Sequence, residues 1–386
     1  MHRWTIGAVI AVTICAYGLV YRGSDEGRAG PAPPALVAEA AYSDDSLGWV
    51  VDLALTGGRL VGIDALLDPS VHVFDLESVE RLGSYGRRGD GPGEFRDPEQ
   101  IVPGATDSPD EVWILDGVHQ RLTRLSLGEI ETGSVAAPET FRMDGPNAGS
   151  LVHAPDGRWF AGGWITGGRV ARYRADRSYD RTIVGFPPEA DAPGMTLLQA
   201  YESRVVADPG GGRLAAGTLL GGLLEIFDYD GVPIAQAAVP DPFQPVWRQG
   251  RSRGGRAVMS LGPETRYGFT DLVATGRYVY GLFSGRSVAE PGTPWATPEV
   301  QVYTWDGAYL KTLHLDRAAE AFTVDAIDTW LYASGPDPEP WVGRFRLPEE
   351  LIPRHVPTGA GAEPQRAVTA RPNSNLKSPD YGERDP

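Results

Sequence analysis

Cysteine is nearly missing. Cys15 is the only one in 386 residues, so no disulfide closes within the chain and no cysteine-based zinc site can be built. Histidine is scarce as well: there are six, none paired at the HExxH spacing of a zinc protease. No GK[ST] follows any glycine-rich turn. Basic charge is the minority, with 35 Lys and Arg against 51 Asp and Glu and a net charge of −16. Such a surface repels phosphates, which excludes nucleic acid as a general partner, and it disfavours docking on anionic lipid by charge alone.

Long apolar runs are rare too. Trp4 to Tyr21 is uncharged throughout and just long enough to span hydrocarbon as a helix. Arg3 precedes it, and Asp25 and Glu26 follow among Arg22 and Arg28, an arrangement that places the rest of the chain outside the cytoplasm. Three readings fit it: a retained signal-anchor, a cleaved signal peptide ending near Ala16-Tyr17-Gly18, or a lipoprotein signal at Val12-Thr13-Ile14-Cys15. A buried core helix does not fit, because the segment has no polar face. The expected organisation is a membrane or signal segment over 1–22, a Gly/Pro-rich tether over 23–35, a folded body over 36–347 and a mostly disordered polar tail over 348–386.

What the chain does have is glycine (49) and proline (33), the residues of tight turns. From about Leu36 to Leu347 apolar residues alternate at period 2, not 3.6. Val50–Leu55, Arg59–Ile63, Val71–Phe74 and Arg81–Tyr85 read as four strands, the first two joined at Thr56-Gly57-Gly58. The first turn of this set recurs at Ser108–Glu111, Pro155–Gly157, Pro209–Gly212, Thr275-Gly276 and Ile327-Asp328, roughly every 50 residues, as propeller blades do. Asp230-Gly231 and Asp306-Gly307 mark a later turn of the same set. Six units are predicted, an all-β six-bladed β-propeller. The sixth lacks a strand, and Leu36–Ala41 is available to supply it and close the ring, leaving only short protected edges.

The stretch Gly86 to Pro98, GRRGDGPGEFRDP, is the sharpest local signature. As a phosphate cradle it is poor: Pro92 lacks an N–H and no helix start follows. Its glycines suit positive φ in a blade-to-blade turn, with Glu94 accepting backbone amides and Phe95 buried between blades. This stretch resembles the GxGPGEF signature of bacterial six-bladed propellers related to NHL repeats. Glu111–Asp116 followed by Gln120-Arg121-Leu122 resembles an NHL strand pattern, and Tyr267–Asp316 resembles the later blades of the TolB-like family. The resemblance implies a six-bladed propeller in the cell envelope and little about chemistry.

Strand alternation within a blade puts the short hairpin turns at one end. The long connections gather at the other: Arg87–Asp97, Ser134–Gly149, Pro187–Gln199, Pro240–Arg266, Arg286–Pro298 and Gly335–Pro340. Function is expected on this long-loop face and the central opening it surrounds. Trp164, Trp247, Trp295 and Trp341 fall in or beside these loops and offer contact area for a glycan, a peptide or a protein partner; the structural alternative is that each folds over a blade end. Arg248, Arg251, Arg253 and Arg256, with Arg286, form basic clusters able to grip carboxylate or phosphate, and Arg87 and Arg88 flank the glycine-rich turn. Asp64, Asp116, Asp271 and Asp325 lie near inner strands. Of these, Asp116 and Asp271 are the candidate ligands for a calcium or other divalent ion at the axis, against the alternative of bonding to backbone at blade junctions. His72, His119, His153 and His314 are spread among blades. The function expected is a membrane-tethered extracytoplasmic binding module without catalysis. The alternatives are a metal-dependent hydrolase or lyase with its site at the axis, and a structural accessory subunit of a membrane complex.

Overall fold

The computed structural model describes residues 34–352 except 105–107, 189, 191–193, 252–254 and 256. The Trp4–Tyr21 segment, most of the tether and the tail from 353 therefore lie outside the described residues.

Alternating strands meet at the predicted turns and give six four-stranded antiparallel sheets. Blade 1 holds Val50–Thr56, Arg59–Asp64, Val71–Asp75 and Arg81–Tyr85; blade 2 holds Pro98–Pro103, Glu111–Asp116, Arg121–Ser126 and Thr140–Arg142. Blade 3 runs from Asn147 to Val184, blade 4 from Ser203 to Gln236, and blade 5 from Phe269 to Ala319. Blade 6 takes Ala321–Val324, Trp330–Gly335 and Trp341–Arg346, and its outer strand is Ala38–Tyr42 from the other end of the chain. There Tyr42 pairs with Val342 and Ala38 with Phe345. Leu36 goes further: its N–H donates to His314 O at 2.7 Å, so the same segment clips the last strand of blade 5. The first strands of the six blades are neighbours in ring order and form the wall of the axis.

Burial follows the blades. Six apolar clusters among the described residues each fill the gap between two neighbouring sheets. Between blades 1 and 2, Val61, Ile63 and Val73 meet Ile101, Val112 and Ile114. Sheets buried on both faces need apolar residues on both sides of a strand, and the second strands supply them: Tyr278–Phe283 is buried at every position.

One departure from the expected loop geography stands out. The residues 127–139 join the third and fourth strands of blade 2, on the hairpin-turn face, and they carry the helix Leu127–Thr132. Only 143–146 of the expected Ser134–Gly149 loop lies on the long-loop face. The physical reason is local: Ser126 caps the helix by accepting the Glu129 N–H, Gly133 ends it at φ 66°, and Leu127 and Ile130 are buried. In the Arg-rich loop, Arg248–Arg251 pairs with Ala257–Ser260 as a hairpin.

Candidate site at the axial mouth

Each inner strand enters from the long-loop face, so the residues just before and at its start ring the mouth of the axis. Below them a belt of side chains ties blade to blade. Asp52 Oδ2 accepts the Ile101 N–H at 2.5 Å, and Gln100 Oε1 accepts the Leu151 N–H. Ser150 Oγ accepts the Val205 N–H at 3.0 Å, and Asp271 Oδ2 accepts the Phe322 N–H at 3.1 Å. On blade 4 the sense reverses: Arg204 donates to Thr270 O at 3.1 Å and to Gly149 O at 2.7 Å. Ser334 Oγ donates to Val50 O at 3.1 Å and completes the circuit. Burial raises the carboxyls of Asp52 and Asp271, that of Asp271 to about 6. The Asp271 charge raises Asp52 further, and Arg204 pulls both back.

Above the belt, carboxylates and aromatic rings alternate around the mouth. Glu99, Glu202 and Glu320 stand at the heads of the inner strands of blades 2, 4 and 6. Trp49 precedes the inner strand of blade 1, Trp164 ends the second strand of blade 3, and Trp295 lies in the long loop of blade 5. Glu320 accepts the indole N–H of Trp295 at 3.1 Å and that of Trp49. Glu202 accepts the indole N–H of Trp164 at 2.8 Å. Tyr267 meets Trp295 edge-on with ring centres 5.8 Å apart and lies near enough to Glu202 to feel its charge. All three indoles remain partly exposed. Burial pushes the Glu320 carboxyl up to about 7, with the Asp337 charge adding to it and the two indole bonds opposing it. Glu99 rises to about 8, mainly through burial and then the Asp97 charge, with Arg204 the opposing influence.

Trp49 is fixed by Asp64, whose carboxylate accepts the N–H groups of Gly48 (2.5 Å), Trp49 (3.1 Å), Leu66 (2.8 Å) and Leu67 (2.9 Å). Burial alone would raise Asp64; the His72 side chain and these amides outweigh it and hold the carboxyl below its usual range.

The other sequence-derived candidates fall elsewhere. Trp341 is 2% exposed and packs in the core between blades 5 and 6 against Phe345, so its ring is closed to a ligand. Trp247 folds onto a small cluster over blade 4 with Tyr201, Leu223 and Met259. Arg248 is held by Glu264 through two bonds of 2.8 Å, and Arg251 donates to Gly255 O at 3.1 Å. Arg253 and Arg256 lie outside the described residues. Arg286 staples its own loop, donating to Thr293 O at 3.0 Å and to Pro291 O. Arg87 pairs with Glu94 at 2.5 Å, while Arg88 is exposed and reaches Ala65 O at 3.2 Å. Among the described arginines, Arg248, Arg251, Arg286 and Arg87 are bound within their own loops.

Asp116 and Asp271 sit on different blades, and each already accepts a backbone N–H, from Arg96 at 2.9 Å and from Phe322 at 3.1 Å. Among the described residues no three His, Cys, Asp or Glu side chains are grouped to hold a metal. His72 is buried with Nδ1 2.9 Å from Ser84 Oγ, and His119 lies 2.8 Å from Asp90, on another blade. Sequence reasoning missed Trp49, Glu99, Glu202, Tyr267 and Glu320. Each is the residue at or just before the start of an inner strand, and aligning the six blades at that position would have found them.

Comparison with known proteins agrees with this architecture. Residues 178–327 match the TolB-like 6-blade propeller-like family. No curated protein matches the sequence. Among solved structures, a member of the DUF4221 family from Bacteroides vulgatus is similar at TM-score 0.51 and 14% identity, over 81% of this chain and 97% of that one. Hydrazine synthase of Kuenenia stuttgartiensis is similar at TM-score 0.46 and 11% identity, over 79% and 97%. The Swd1 β-propeller domain of Myceliophteria thermophila gives 0.46 and 11%, over 81% and 99%. At these identities the likeness concerns the fold. The chain is a six-bladed β-propeller, closed by its own N-terminal strand and similar over residues 178–327 to the TolB-like 6-blade propeller-like family.

Proposed function

We propose that this chain is an extracytoplasmic, membrane-tethered recognition module that binds a ligand or partner on its long-loop face and catalyses no reaction. The uncharged Trp4–Tyr21 segment supports the tether. The observation that carries the binding reading is the axial mouth. Three partly exposed indoles from blades 1, 3 and 5 are pinned by carboxylates from blades 4 and 6. Rings fixed in this way lose little freedom when a ligand covers them, which is how contact area becomes affinity.

The test is purification of the full chain from its native membrane in mild detergent, with mass spectrometry of what accompanies it. Trp295→Ala at the mouth and Glu77→Gln on the opposite face are carried in parallel. A companion or small ligand retained by Glu77→Gln and lost from Trp295→Ala supports the reading. One retained by both variants makes the chain an accessory subunit held elsewhere, and a solitary protein in every sample overturns the recognition reading.

The hydrolase or lyase alternative draws on Glu99 and Glu320, whose raised pKa values suit general acid–base work. Turnover of an ester or glycoside that Glu320→Gln abolishes and Trp295→Ala retains would establish it.

A further inference from the structure

We propose that the axial mouth takes an organic cation, an alkylammonium or guanidinium group such as a lysine or arginine side chain presented by a peptide. This deepens the recognition reading and rests on it. The mouth offers the two features that hold such a group. The first is aromatic surface: Trp49, Trp164 and Trp295 are partly exposed, and their indole N–H groups are occupied by carboxylates, so what the rings have left for a ligand is carbon π-surface. A cation over an indole face is attracted by the ring quadrupole, more strongly where water is excluded.

The second is a set of carboxyls short of countercharge. Glu99, Glu202 and Glu320 stand at the mouth, and among the described residues the cation acting on Glu99 is Arg204, whose guanidinium donates to the carbonyls of Gly149 and Thr270. The pKa values of Glu99 and Glu320 are raised because these carboxyls are buried without sufficient countercharge. A bound cation supplies it. A neutral sugar would use the rings but leave the charge unmet, and an anion would be repelled. Arg248 of the nearby hairpin is paired with Glu264 on its own loop.

The experiment is calorimetric titration of the full chain in detergent at 150 mM salt and pH 8. The probe is the end-blocked peptide acetyl-Gly-Ser-Lys-Ser-Gly-amide, with the Nε-acetylated and Lys→Gln peptides as controls and a neutral chitin oligosaccharide beside them. The expected result is binding of the lysine peptide alone, weakened about tenfold or more by Trp295→Leu and by Glu320→Gln, and unchanged in Glu77→Gln. Should Glu320→Gln fail to fold, Glu202→Gln replaces it. Binding that Glu320→Gln leaves intact, or that the acetylated peptide matches, overturns the cation. Attraction merely to a chain of net charge −16 would fall into this class, because one carboxylate would not change it. If the oligosaccharide binds and Trp295→Leu removes it, the cation is overturned and the recognition reading stands. If a native ligand is found elsewhere on the chain and no probe responds to mouth variants, both fall.

Discussion

Glu94 holds the blade 1 to blade 2 connection together from both sides. Its carboxylate accepts the Gly91 N–H at 2.9 Å and pairs with Arg87, and burial is outweighed by these partners, so its pKa is lowered. The glycines around it have separate reasons to be glycine. Gly93 has φ 72° and Gly86 φ 88°, where a side chain is strained. Gly89 has no such φ; a Cβ there would collide with the Glu94 carboxylate. Phe95, at 1% exposure, is buried against blades 1 and 2. Phe95→Ala should cost about 3–5 kcal/mol of stability, read as a lower midpoint in chemical denaturation. Gly89→Ala should cost at least ~1 kcal/mol, and pairing it with Glu94→Ala should recover part of that loss, because the colliding group is gone.

Protonation at the mouth carries a sign that can be measured. Glu320 and Glu99 have folded-state pKa values near 7 and 8, above the carboxyl value of an unfolded chain. Between about pH 4.5 and 8 the folded state therefore holds protons that the unfolded state has released, and these two groups destabilise the fold progressively as pH rises. Glu320→Gln removes one of them. Its stability relative to wild type should improve from pH 5 to pH 8, by about 1–3 kcal/mol across that range, in parallel urea titrations. A constant difference at both pH values would mean that Glu320 is already ionised in the folded protein.

At the level of strands, the sequence was legible wherever turn chemistry and alternation agreed. Val50–Thr56 and Arg59–Asp64 meet at Thr56-Gly57-Gly58-Arg59 as the glycines require, with Gly57 and Gly58 at φ 57° and 70°. The closing strand was legible for a topological reason: a ring with an incomplete blade needs a strand, and Ala38–Tyr42 was the spare one. The helix Leu127–Thr132 escaped a reading by period, since six residues are too few to display one, although Ser126, Glu129 and Gly133 mark its ends. The mouth residues escaped because their relation exists only between blades; Glu320 and Trp49 are 271 positions apart. The loop tryptophans were visible, yet nothing local separates Trp295 at the mouth from Trp341 in the core. The closing strand is testable directly. A chain beginning after Tyr42 should expose the edge Trp341–Arg346 and associate through it, seen as dimers or larger species in light scattering. A synthetic peptide of residues 34–43 should return it to monomer.

For the whole molecule, the six blades are nearly equal in architecture and unequal in what they bring to the axis. Blades 2, 4 and 6 contribute carboxylates at the mouth, and blades 1, 3 and 5 contribute rings. The belt beneath, from Asp52 to Ser334, satisfies backbone groups between blades and makes the mouth a rigid rim. Asp271→Asn should keep the ring closed, because an amide oxygen can still accept the Phe322 N–H. Asp271→Leu should leave that N–H unpaired and cost about 1–3 kcal/mol, measured against the Asn variant by denaturant midpoint.

Closure by Ala38–Tyr42 also sets a schedule. This strand leaves the ribosome roughly 300 residues ahead of its partner Trp341–Arg346, an interval of roughly 15–60 s at ordinary rates of synthesis. Throughout that interval the early strand has no mate, and the blades made so far have no ring. The last blade to be translated is therefore the one that commits the molecule, and a stalled or prematurely terminated chain is left as an open arc with both ends sticky.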